Sequence, residues 1–225
     1  MDPQTFEKLL LIAFGWFLGL FSPTIVDLIQ RKQERKEIKT TLTSELQNLQ
    51  FRLVGIVYLI AQETRTSIYD RQLLKWIQST MATYTGINYD PALRDVVEAL
   101  LKLNDQELAT AATRAGAQKK EDGRLLYKLS LKKYSTPLLE SQISRLSILD
   151  ELSRQYVLEI RNRLYLINED IDQYRFYFNH TFSSNISQDN YELTVKNIND
   201  AYVNISSQAR LAANQIATLL SKWRW

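Results

Sequence analysis

The chain has 225 residues, 45% of them hydrophobic, and carries 28 Lys and Arg against 25 Asp and Glu, a net charge of +3. This is ordinary globular usage and excludes wholesale disorder or a collagen-like repeat. Absence of Cys excludes disulfides, thiolate zinc and a cysteine nucleophile; a single His excludes a multi-histidine metal site within one chain; the six Gly form neither a dinucleotide fingerprint nor a P-loop.

Residues 9–26 read LLLIAFGWFLGLFSPTIV, 18 residues without a charge. A helix of about 20 residues crosses the hydrocarbon core of a bilayer, so the run predicts an uncleaved transmembrane helix. The leader carries Asp2 and Glu7 against Lys8, and no small-residue cleavage pattern follows, which argues against a signal peptide. Arg31, Lys32, Arg35, Lys36 and Lys39 come directly after the run. By the positive-inside rule they place the C-terminal body in the cytoplasm and the N-terminus outside, giving a single-pass protein of the cell (inner) membrane. Gly15 and Gly19 form G-x-x-x-G, a spacing that lets two membrane helices approach closely, and so predict self-association into a homo-oligomer. Pro23 predicts a kink.

The body reads as helical throughout. Ile38, Leu42, Leu46, Leu49, Leu53, Ile56 and Ile60 form one apolar stripe, which predicts a stalk helix continuing from the anchor to about Thr64. Shorter helices are expected from Asp70 to Tyr84, from Pro91, and from Asp105 to Gly116. Ser135-Thr136-Pro137 is a helix start signal. Beyond it Leu149, Leu152, Tyr156, Ile160, Leu164, Ile167, Ile171, Tyr174, Phe178 and Phe182 form a second stripe, broken at Ser183-Ser184-Asn185. A third follows: Tyr191, Val195, Ile198, Tyr202, Ile205, Ala209, Ala212, Ile216, Leu219 and Trp223, alternating steps of four and three. That is a heptad seam, and it serves either an antiparallel hairpin with the preceding helix or an intermolecular coiled coil. The expected fold class is all-α: residues 1–30 as anchor, 31–134 as stalk and short helices, and 135–225 as a long helical hairpin, with 31–225 forming one domain.

Charge is uneven. Residues 31–39 contribute +3 and residues 114–133 contribute +5, leaving −5 for the remainder. The first block suits anionic lipid at the membrane. In the second, Arg124, Lys128 and Lys132 recur every four residues, which predicts one basic helix face able to bind the phosphates of lipid, nucleic acid or a nucleotide signal. The tail Lys222-Trp223-Arg224-Trp225 mixes aromatics with bases, as a membrane interface favours, while Trp223 equally closes the seam. No cofactor and no metal site is implied.

Arg175 and His180, in YRFYFNH, have the spacing R-x-x-x-x-H. This resembles the R-x4–6-H motif of the HEPN ribonuclease superfamily. The resemblance implies a helical bundle, dimerisation across a cleft, an Arg that steadies phosphate charge and a His that works on the 2′-hydroxyl. The layout as a whole resembles small anchored helical effectors of prokaryotic antiviral defence, including the HEPN-like membrane accessory proteins of some RNA-targeting CRISPR systems. The leading expectation is non-enzymatic: an anchored helical protein that self-associates and binds a cytoplasmic protein partner or signal. The alternatives are a membrane-tethered HEPN-type ribonuclease and a non-catalytic scaffold of a membrane complex.

Overall fold

The computed structural model describes residues 3–64, 69–82, 84, 91–121, 129–183 and 186–223, except the side chains of 3–6, 8–10, 12, 17, 18, 20–24 and 115–121. The chain is all-helical, and no strand occurs among the described residues. In chain order the helices are α1 (Pro3–Thr64), α2 (Arg71–Ala82), α3 (Pro91–Lys102), α4 (Asp105–Glu121), α5 (Pro137–Gln142), the 3₁₀ turn Ile143–Ile148, α6 (Glu151–His180) and α7 (Gln188–Trp223).

Three long helices make the core, with α7 in the middle and α1 and α6 on either side. The heptad seam of α7 serves the hairpin: Ile198, Tyr202, Ile205, Ala209, Ala212, Ile216 and Leu219 are buried. A second row, Thr194, Ala201, Ala213 and Leu220, is buried beside it. One seam packs a helix against one partner, whereas two adjacent rows allow α7 to pack against α6 and α1 together. Small residues at Ala209, Ala212 and Ala213 permit the close approach. The buried Gln50 donates from Nε2 to the Ala213 carbonyl at 3.2 Å, and Lys39 lies over Trp223, so α1 runs antiparallel to α7.

On α6 the buried row is Ser153, Val157, Ile160, Leu164, Ile167, Ile171 and Tyr174. The expected stripe fails at both ends, since Leu152 and Phe182 are 47% and 73% exposed. Leu149 lies outside α6, as the C-cap of the 3₁₀ turn. Asp150, with extended backbone, caps α6 by accepting from the Ser153 N–H at 2.9 Å, so the helix begins one residue later.

The short helices follow expectation except that α4 continues past Gly116 to Glu121. Arg71 holds the corner between α3 and α4, donating to the Leu101 and Leu103 carbonyls and to Asp105 Oδ1. Helix α2 docks on α7 through Trp76, whose indole N–H donates to Asn214 while Arg210 lies over its ring.

Helix α1 enters the core only at Ile38. Its 62 residues run about 93 Å, so roughly the first half projects beyond the body. The backbone stays helical through Pro23, whose side chain lies outside the described residues. Among the described residues no helix is long and apolar enough to cross a membrane. The expected span falls largely outside them, because ten of the eighteen side chains in 9–26 are not described.

Candidate functional site

The end of the body from which α1 projects gathers one residue set from α1 and α7, braced by α6. At about 100° per residue, Lys32, Arg35, Lys36 and Lys39 share one face of α1, and Glu34 and Glu37 fall on the opposite side. With Thr40, Thr43, Ser44, Gln47 and Trp223 of α7 they line a groove of about 560 Å³. Among the described residues no ion pair engages these four cations.

Two contacts hold the groove in shape. Arg35 Nε donates to the Ile148 carbonyl at 2.9 Å, tying α1 to the 3₁₀ turn that leads into α6. The Trp223 indole N–H donates to Ser153 Oγ at 2.9 Å, tying α7 to the first turn of α6. Burial alone would raise the Asp150 carboxyl; the Ser153 amide and hydroxyl, with the nearby charge of Lys39, outweigh it and hold the group below its ordinary value. Lys39 itself lies 5.7 Å over the Trp223 ring, and Lys222 lies 5.0 Å over that of Tyr156. The sequence signal for this site was the basic run and the Trp-Arg-Trp tail taken separately. Their meeting follows from the antiparallel pairing of α1 with α7. Arg224 and Trp225 lie outside the described residues.

Of the second basic block, only Lys132 can be placed against the helix face that its spacing predicts. Lys132 stands in a non-helical strap over residues 129–136, while Arg124 and Lys128 lie outside the described residues. The strap is captured by α6. Asn168 accepts from the Tyr134 N–H at 2.8 Å and donates to the Tyr134 carbonyl at 2.9 Å. The Tyr174 hydroxyl donates to the Leu129 carbonyl at 2.7 Å. Arg175 donates from Nε and Nη2 to the Leu131 carbonyl at 3.2 and 2.7 Å. Backbone groups committed to these side chains are withdrawn from a helix ladder. Tyr134 also reaches α1, where Arg52 lies over its ring, and burial pushes its phenol far above the ordinary range.

Arg175 is therefore engaged with the strap. His180, the last residue of α6, is exposed, with the Phe176 ring edge-on at 4.6 Å. Among the described residues, a Cβ added at Gly15 or Gly19 would meet nothing within 4 Å, so no described packing requires glycine at either place. No family model matches the chain, and neither a curated protein nor a solved structure is similar to it.

Proposed function

We propose that this is a single-pass membrane protein whose helical body lies on the cytoplasmic side, self-associates through the span and engages a partner or signal through the body. One observation carries the reading. The apolar run 9–26 belongs to a helix that has left the body, and all eight of its described side chains are exposed, Leu11 and Trp16 by 70% each. Exposed apolar side chains on a projecting helix call for a cover, and a bilayer supplies one along the full length of such a helix. The basic residues directly after it complete the pattern of an inward-facing span. A defence effector acting through its own span is the more specific version of this reading.

Alkaline carbonate extraction of cell membranes tests it. The full chain is expected to stay in the membrane pellet, and a chain lacking residues 1–30 to leave it. Release of the full chain by carbonate would refute the span.

A further inference from the structure

We propose that the groove between α1 and the end of α7 seats the phosphate headgroup of an anionic phospholipid. The proposal rests on the membrane reading above and adds a specific lipid site to it. Position argues for lipid over other phosphate carriers. Lys32 follows Ile29 by three residues, or about 4.5 Å along the helix, and Lys39 by about 15 Å. The polar layer of a bilayer is roughly 5–8 Å deep on each side, so the Lys32 end of the groove lies among headgroups and the Lys39 end on the body side of them. Its chemistry also fits. Four cations converge on one face, their acidic neighbours Glu34 and Glu37 point away, and the hydroxyls of Thr40, Thr43 and Ser44 continue the wall. Asp150 and Glu151 are the carboxylates at the start of α6, and Asp150 is occupied by Ser153. A lipid held at the Lys32 end lies against α1 where that helix leaves the body.

Native mass spectrometry tests this on the full chain, extracted in neutral detergent and offered an equimolar mixture of phosphatidylglycerol and phosphatidylcholine. Phosphatidylglycerol is expected to be retained in preference, and added salt to weaken that preference. Lys32→Gln, Lys36→Gln and Lys39→Gln together should lower the ratio of bound phosphatidylglycerol to phosphatidylcholine by at least about tenfold. Lys75→Gln, Lys102→Gln and Lys196→Gln, three exposed cations elsewhere with the same total charge change, should leave it unaltered. If the groove triple fails to fold, Lys32→Gln with Lys36→Gln is compared against Lys75→Gln with Lys102→Gln. Equal retention of both lipids by the wild type, or equal loss in both variant sets, would overturn the site. Carbonate extraction stays the separate check: a chain that resists carbonate yet shows no lipid preference loses the groove and keeps the span.

Discussion

Arg175 directs two N–H groups at a single carbonyl, that of Leu131, and so works as a clamp on the strap. His180 is exposed one turn further on, against Phe176. The two residues of the R-x4-H spacing thus have different neighbours and different expected phenotypes. Arg175→Ala is expected to lower stability by about 1–2 kcal/mol, because it leaves a partly buried carbonyl without its donors. His180→Ala should cost less than about 0.5 kcal/mol. Thermal unfolding of the detergent-solubilised chain, followed by near-UV circular dichroism, measures both. An RNA-cleavage assay on the same variants separates the enzymatic alternative: an activity lost in His180→Ala at unchanged stability would establish catalysis there. Sequence spacing named these residues, but it carried no sign of Leu131, which lies 44 positions away.

Among elements, the legible ones were those with a period. The α6–α7 hairpin and the lower half of α1 were readable because steps of three and four recur over many turns. The start of α6 was also written locally, in Asp150 and Ser153, although the longer apolar stripe ran across it. The strap was not legible. Lys132 keeps the four-residue spacing of a helix face, and what overrides that spacing there is hydrogen bonding from Asn168, Tyr174 and Arg175. Helix α5 is a similar case, since its N-cap residue Thr136 makes no side-chain capping bond. Glu45 of α1 does this instead, accepting from the Leu138 and Leu139 amides at 3.0 and 2.7 Å. Glu45→Ala should therefore cost about 1 kcal/mol and speed amide exchange at Leu138 and Leu139, while α7 amides stay protected. Unchanged exchange at both amides would show that α5 needs no cap from α1.

For the whole molecule, the body buries its own heptad seam within the hairpin, so the coiled-coil face is already used. The proposed self-association would then use surfaces outside that core, and Gly15 and Gly19 lie on the projecting part of α1 with nothing described within 4 Å of an added Cβ. Replacing both by Leu would fill the close-approach face. The full chain in detergent is expected to drop to a lower oligomeric mass by light scattering, with helix content unchanged. An unaltered mass would move self-association to the body.

The continuity of α1 has a mechanical consequence. Core side chains from Ile38 to Ala61 fix the rotational setting of this helix, and the same unbroken backbone carries Leu28, Ile25, Trp16 and Leu11. Azimuth in the projecting half is therefore dictated from within the core out to Ile25, and beyond it through the turn that holds Pro23. One residue added between the two halves would turn the outer face by about 100° and advance it by about 1.5 Å, whereas seven added residues would bring it back to within roughly 20°. The helix is a keyed shaft, and any surroundings of its outer half meet a face chosen by the packing of α7.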